Sequence, residues 1–320
     1  MNGTGRAVTH LVGRDRPGDP VAATARALAR TLDRSGRPGR LVTAADLAVR
    51  SDRADGPLVV HSSDGGEALA PALAELVDRP LTLVHHGSAA GADRGVLRAL
   101  RTPSTWAVGV DPTAREELRG LGYARVAPLQ PLLLDDAFDV ESDAEAASHV
   151  RAHPGPSILH VGPLGPNRSV EVLLDAFTEL VTRRTFAATL CLCGPSTPWY
   201  LGWLRRRIAA HGLQSCELFE PTTEGQVLAR LERADVVVAL PPAALDPYVV
   251  RAARDGTPVV AAPSAALAGL GPEALVEVEP GAGTAALARA LEAAIERGSR
   301  PAPATPRPDA GALARRLGLP

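Results

Sequence analysis

Short apolar runs alternate with stretches of helical periodicity from one end of the chain to the other. In the first half, brief runs rich in Val and Leu and bounded by turn residues predict strands over 7–12, 40–43, 57–61, 81–86, 105–110 and 125–128. Between the first two, Val21, Ala25, Leu28, Ala29 and Leu32 share one face of a helix over 21–34, with Pro20 in its first turn. Further helices are expected over 67–76, after Gly65-Gly66, and over 113–121, after Asp111-Pro112. The second half repeats the rhythm, with strands over 157–162, 187–194, 216–219, 235–240, 258–261 and 275–278. Its helices fit 170–182, 200–211, 224–233, 247–254 and 284–297. Repeated strand–helix–strand order implies parallel sheets with helices on both faces.

The stretch 135–156 interrupts this rhythm: acidic first, then containing Pro and Gly, with room for one short helix at 144–151. The expected organisation is an N-terminal Rossmann-like domain over 1–137 and a hinge region over 138–156. A second Rossmann-like domain over 157–298 follows, then a Pro-rich tail over 299–320 with a short helix at 310–317. Two such α/β halves predict two sheets facing across a cleft, with ligands at the carboxyl ends of the strands.

Composition narrows the function. The chain has 320 residues with 34 basic and 36 acidic side chains, so it lacks the basic surplus needed to coat nucleic acid or an anionic membrane. Three Trp, three Tyr and four Phe are too few for a base-stacking platform. No run approaches the ~20 apolar residues of a membrane helix, and residues 1–10 lack a signal-peptide core. Three cysteines make no disulfide framework, so a cytoplasmic setting is expected. All the basic residues are Arg, the mark of a codon-biased genome. An Arg in place of a Lys therefore need not signal a changed role.

The strongest chemical feature is the segment 158–170, where a strand runs through Gly162-Pro163-Leu164-Gly165-Pro166-Asn167-Arg168 into a helix. Free backbone N–H groups and the positive helix end suit a phosphate, Asn167 or Ser169 can cap the helix, and Arg168 adds a cation. A tight turn with a solvated Arg is the plainer reading. The chain has neither a Gly-x-x-x-x-Gly-Lys-Ser/Thr loop nor a Gly-x-Gly-x-x-Gly after the first strand. It also lacks the Gly-x-Ser-x-Gly elbow of a serine hydrolase. Cys191 and Cys193 share a strand face and read as small core residues rather than as half of a metal site.

Residues 157–261 resemble the C-terminal domain of family 4 glycosyltransferases, retaining enzymes of GT-B architecture. The likeness rests on the segment 158–168, Leu174-Asp175-Ala176-Phe177, Leu192-Cys193-Gly194, Ala234-Asp235-Val236 and Gly256-Thr257-Pro258-Val259-Val260. In the first half, Pro17-Gly18-Asp19, Val59-Val60-His61 and Val84-His85-His86-Gly87 fit the glycine loop and strand-end histidines of such enzymes. The resemblance implies transfer of a sugar from a nucleoside diphosphate donor, with retention at the anomeric carbon and no bound metal or other cofactor. It implies a nucleotide sugar as small-molecule partner, held by the second domain, and an acceptor of unknown identity held by the first.

The same resemblance assigns residues. Arg168 occupies the family's loop Lys position and, with the Gly162 loop, faces the diphosphate; His86 falls on the acceptor side, with His61 as a second strand-end candidate. Gly18 and Asp19 form the glycine loop, although Asp19-Pro20 is also a helix start. Gly194, Gly256 and Thr257 fall in the donor-domain motifs. Pro163 stands where the family has a loop Arg, and loss of such a transition-state contact typically costs about 3 kcal/mol. Of the family's paired glutamates, the first position falls near Ala243 and the second at Arg251, which either pairs with the diphosphate or is a solvated helix side chain. The functional expectation is a metal-independent hexosyltransferase. The alternative is a catalytically degenerate relative that senses a nucleotide sugar or serves as the partner of an active transferase.

Overall fold

The structure is a computed structural model that describes residues 7–34, 36–49, 56–77, 79–87, 94–129, 141–150, 155–166, 169–184, 187–239, 247–262, 267, 274–279, 281–298, 313–315 and 317–319. The chain divides into two compact units. Unit 1 comprises Met1–Asp15, Val21–Ala137 and Pro306–Pro320; unit 2 comprises Arg16–Pro20 and Phe138–Thr305.

Unit 1 holds β1 (Val8–Val12), β2 (Gly39–Thr43), β3 (Leu58–Ser62), β4 (Leu81–His85), β5 (Trp106–Gly109) and β6 (Val126–Pro128) in one parallel sheet of order β2-β1-β3-β4-β5-β6. The central strands β1, β3 and β4 are buried along their whole length, whereas β2 and β6 at the edges are only partly covered. This is the burial expected of a parallel sheet with helices on both faces. Helix α1 (Pro20–Arg34) buries Ala25, Leu28 and Leu32 as the periodicity predicts. The short helices α2 (Ala44–Val49) and α4 (Gly95–Ala99) span too few turns to show a period. Over 67–76 the expected α-helix is a 3-10 helix, Asp64–Ala72, with Pro71 inside it, and only Leu73–Leu76 is α-helical (α3). Proline lacks the N–H that an α-helical turn needs there. Helix α5 (Pro112–Gly120) starts as its sequence signals, with Asp111 accepting the Ala114 N–H at 2.7 Å and Pro112 in the first turn.

Unit 2 holds α6 (Ala144–Val150), β7 (Ser157–Val161), β8 (Thr189–Cys193), β9 (Cys216–Phe219), β10 (Val236–Ala239), β11 (Val259–Ala261) and β12 (Leu275–Glu277). These strands form a parallel sheet of order β12-β11-β10-β7-β8-β9. Helices α7 (Val170–Arg184), α8 (Pro198–Ala210), α9 (Glu224–Leu231), α10 (Pro247–Arg254) and α11 (Thr284–Arg297) alternate with the strands. Leu173, Leu174 and Phe177 of α7 share a buried cluster with Leu287, Leu291 and Ala294 of α11. Asp235 and Ser157 staple the starts of β10 and β7 through paired bonds of 2.8 and 2.9 Å.

The two sheets are the two Rossmann-like domains of a GT-B fold, as the alternating pattern leads one to expect. Every strand lies within a residue or two of its expected run. No helix among the described residues is long and apolar enough to cross a membrane. In each sheet the order reverses once, at β1/β3 in unit 1 and at β7/β10 in unit 2, and ligands of open α/β sheets gather beyond the carboxyl ends at such points.

At the carboxyl ends of β7 and β8 the chain is drawn tight. Gly162 N–H donates to Cys193 O, Gly194 N–H to Phe219 O and Leu164 N–H to Pro195 O, each at 2.9 Å. A Cβ on Gly194 would lie 1.9 Å from Gly162 O, a backbone atom that has nowhere to move. Gly194→Ala is therefore expected to lower the unfolding free energy by about 2 kcal/mol or more in urea titration. A change within about 0.5 kcal/mol would show that the two loops are not held this closely.

Candidate functional site

The carboxyl end of the unit 2 sheet carries the loop read as a phosphate cradle. Gly162 (φ 145°) and Gly194 (φ 156°) leave β7 and β8, and an isolated parallel bridge, Leu164 to Ser196, extends their pairing beyond the strands. Ser196 Oγ donates to Leu164 O at 2.8 Å, so the two loops are joined twice. Ser169, just before α7, has φ 54°, a left-handed backbone uncommon outside glycine, and so the helix entry is strained. Asn167 and Arg168, the expected cap and cation, lie outside the described residues, as do Ala243 and Asp246 in the loop after β10. His160 on β7 lies beneath this loop: its Nδ1–H donates to Val238 O at 3.0 Å, which leaves Nε2 as the acceptor nitrogen.

The remaining donor-side candidates fall in different places. Gly256 (φ 83°) and Thr257 close α10: Gly256 N–H donates to Ala253 O (3.3 Å) and Thr257 N–H to Ala252 O (2.9 Å). This is a Schellman motif, the usual reason for a glycine just past a helix. The helix runs back against the strands, so these two residues lie at the amino edge of the sheet, away from the Gly162 loop. Arg251 Nε donates to Asp255 Oδ2 at 2.6 Å, an i,i+4 pair on the half-exposed side of α10. Gly18 (φ 74°) belongs to the short segment grouped with unit 2; its N–H donates to the hydroxyl of buried Tyr248 at 3.2 Å, and Tyr248 donates to Glu224. Asp19 N–H closes a turn on Arg16 O at 3.1 Å, directly before Pro20.

Cys191, Cys193 and Cys216 are free thiols. Burial pushes the Cys193 and Cys216 thiols up to about 12 and Cys191 well above its ordinary value, which removes them as nucleophiles. Among the described residues no cluster of three or more His, Cys, Asp or Glu side chains is arranged to hold a metal ion.

In unit 1 the structure joins the two histidine candidates to a third that the sequence reading passed over. His10 pairs in register with Val59 and His61 with Val84, so His10, His61 and His86 share one sheet face and climb it diagonally. Each stands one strand across and two residues nearer the carboxyl end than the last. His10 Nδ1 is 3.2 Å from His61 Nε2, and His61 Nδ1 is 3.2 Å from His86 Nε2. The ring centroids are 5.5 Å apart at both steps. His61 uses one nitrogen for each neighbour, so the three rings do not converge on a point as metal ligands would. His10, His61 and His86 are 0%, 1% and 3% exposed. His10 Nε2 and His86 Nδ1, the two free ends, have no hydrogen-bond partner among the described residues. An unsatisfied buried nitrogen of this kind costs about 1–3 kcal/mol.

The opposite face of the same sheet carries a separate network. His85 Nε2–H donates to Glu117 Oε2 at 2.8 Å, Ser62 Oγ lies 3.0 Å from His85 Nδ1, and Arg94 donates to the other Glu117 oxygen at 2.8 Å. A Ser-His-Glu connectivity results, but Ser62 is 1% exposed and is no accessible nucleophile.

Residues 155–297 match the family model described as "Glycosyl transferases group 1". No curated protein sequence matches the chain. Among solved structures, a sucrose-phosphate synthase from Thermosynechococcus elongatus aligns with a TM-score of 0.62 and 17% identity over 98% of this chain and 92% of that one. Anabaena HepE in complex with UDP and glucose aligns at 0.58 and 15% identity, over 91% and 90% of the two chains. The S. aureus MnaA–UDP co-structure aligns at 0.59 and 12%, over 97% and 94%. At these identities the likeness establishes the fold.

Burial determines how the histidine chain behaves in acid. It lowers His10 to about 4 and His61 well below its ordinary value. It also lowers His86 to about 3, helped by the neighbouring His85. Each folded value lies below the unfolded one, so under pH 6.5 the unfolded chain takes up protons that the folded chain refuses. Stability is therefore complete above pH 6.5 and falls as the pH drops, by up to about 1.4 kcal/mol per pH unit for each ring. Urea titrations between pH 7.5 and 5 should show this loss, and His10→Gln should flatten it by about one third. A variant with an unchanged slope would contradict the burial of a neutral His10.

Proposed function

We propose that the protein transfers a sugar from a nucleoside diphosphate donor to an acceptor hydroxyl, with unit 2 taking the donor and unit 1 the acceptor. One coincidence carries this reading. The segment that matches the group 1 glycosyltransferase model, residues 155–297, is the segment whose parallel sheet ends in the glycine-bounded loops at Gly162 and Gly194. In such a transfer the departing diphosphate gains negative charge, and prearranged amide dipoles and cations stabilise it best. The Gly162 and Leu164 N–H groups are already bonded to Cys193 O and Pro195 O, and Pro163 and Pro166 have none. The backbone N–H groups of Gly165, Asn167 and Arg168, the start of α7 and the guanidinium of Arg168 are the groups this chain offers for that task. Arg168 can grip a phosphate through two parallel bonds. Retention at the anomeric carbon, a metal-free reaction and a cytoplasmic setting belong to this proposal. On the acceptor side the proposal assigns His86, which follows β4 at its carboxyl end and whose Nδ1 has no hydrogen-bond partner among the described residues.

A second reading, a nucleotide-sugar binder that no longer transfers, is favoured by Pro163 in place of a loop Arg. The Arg251–Asp255 pair, where the resemblance calls for a glutamate, points the same way. The two readings differ in turnover, not in binding.

Thermal denaturation in the presence of UDP, GDP and their glucose conjugates tests both. A nucleotide at a hundred times its Kd stabilises the folded state by about 2.7 kcal/mol, visible as a rise in Tm. No shift with any nucleoside diphosphate at millimolar concentration would sink both readings. Where a donor binds, its transfer or hydrolysis should fall about a hundredfold in Arg168→Ala. Turnover untouched by that substitution would remove Arg168 from the diphosphate, and binding without turnover would favour the second reading.

A further inference from the structure

The buried histidine ladder has a property that follows from proton counting alone. Each of its two links needs one hydrogen between two ring nitrogens, and each neutral imidazole carries one hydrogen. If His61 carries its proton on Nε2, it donates to His10 Nδ1, so His10 must be protonated on Nε2. The bare Nδ1 of His61 must then accept from His86 Nε2–H, leaving His86 Nδ1 with a lone pair. If His61 carries its proton on Nδ1, every assignment reverses, and His86 presents Nδ1–H while His10 Nε2 is bare. Any mixed arrangement puts two hydrogens, or none, into one of the links.

We propose that His10 and His61 are positioning residues that set the tautomer of His86 through this chain, so that the three rings switch only together. The ladder then has two states of opposite polarity. In one, His86 Nδ1 accepts a hydrogen bond from a ligand hydroxyl; in the other, its Nδ1–H donates a hydrogen bond to an anionic oxygen. The two ends fit this role, because the states of His10 Nε2 and His86 Nδ1 differ between the forms and neither has a hydrogen-bond partner among the described residues. Near-complete burial keeps water from competing for the links, and the lowered basicity of all three rings keeps the chain neutral at pH 7. The groups nearest in sequence do not interfere: His85 and Ser62 point to the opposite face and bind Glu117 and each other. A sugar hydroxyl donating to His86 Nδ1 would select the form with all three protons on Nε2. That use rests on the transferase reading, whereas the coupling rests on the geometry of unit 1 alone.

The test is 15N NMR of the histidine rings in the full-length, ligand-free protein at pH 7.5, where Nδ1 and Nε2 shifts report each tautomer directly. All three rings protonated on Nε2, or all three on Nδ1, is the expected result; a mixed set in the wild type overturns the proposal without any variant. His10→Asn puts an amide at the Nδ1 position that can donate or accept, which releases the constraint. The tautomer ratio of His86, two strands away, is then expected to move about fivefold, the worth of one hydrogen bond. His61→Phe cuts the chain and should produce a similar shift. Folded variants in which His86 keeps its wild-type ratio would overturn the coupling, and no loss of nucleotide binding is needed for either outcome.

Discussion

The approach of Gly194 to Gly162 is the contact on which the architecture at the carboxyl end of the unit 2 sheet depends. Parallel strands hold their loops beyond the carboxyl ends only if those loops can continue side by side. Here the Gly194 backbone passes so close to Gly162 O that no Cβ fits between them. The bonds from Gly162 to Cys193, from Gly194 to Phe219 and from Leu164 to Pro195 then carry the register of β7, β8 and β9 into the loop region. The left-handed backbone of Ser169 (φ 54°) shows that the chain turns sharply just before α7. A site for an anion needs such rigidity, because dipoles that must first reorient stabilise developing charge poorly.

Unit 1 solves a different problem. Its central strands are buried on both faces, yet one face carries three buried imidazoles, His10, His61 and His86, where Val or Leu would pack. The polar atoms are accommodated by pairing the rings with one another along a diagonal of the sheet, which leaves one nitrogen at each end without a partner among the described residues. A hydrocarbon ladder would pack there without that penalty, so the arrangement points to a role beyond stability. The network of Ser62, His85, Glu117 and Arg94 on the opposite face by contrast joins a buried hydroxyl through His85 to an acid that also accepts from Arg94.

Much of the fold was legible in the sequence because parallel strands buried on both faces read as unbroken apolar runs, and their helices carry a strong period. What escaped were elements too short for a period, such as Ala44–Val49 and Gly95–Ala99, and the 3-10 course that Pro71 imposes. At the site, His61 and His86 stood out as strand-end histidines, but His10 lies mid-strand and looks like a core position. Only the register, His10 opposite Val59 and His61 opposite Val84, puts the three on one face. Aligning strand parities among neighbours would have found it. Gly256-Thr257 shows the converse: a motif read as substrate-binding has a sufficient cause in ending α10. Tyr248, joined to Glu224 and Gly18, had no sequence signal because its partners are far away along the chain.

A crystal structure of the protein with UDP tests the central claim most directly. The account predicts density for the diphosphate beyond the carboxyl ends of β7 and β8, its oxygens within about 3.2 Å of backbone N–H groups in the Gly162–Arg168 loop and of the Arg168 guanidinium. A nucleotide bound elsewhere, or a Gly162 loop whose amides turn away from an empty and occluded end of the sheet at saturating UDP, would contradict it.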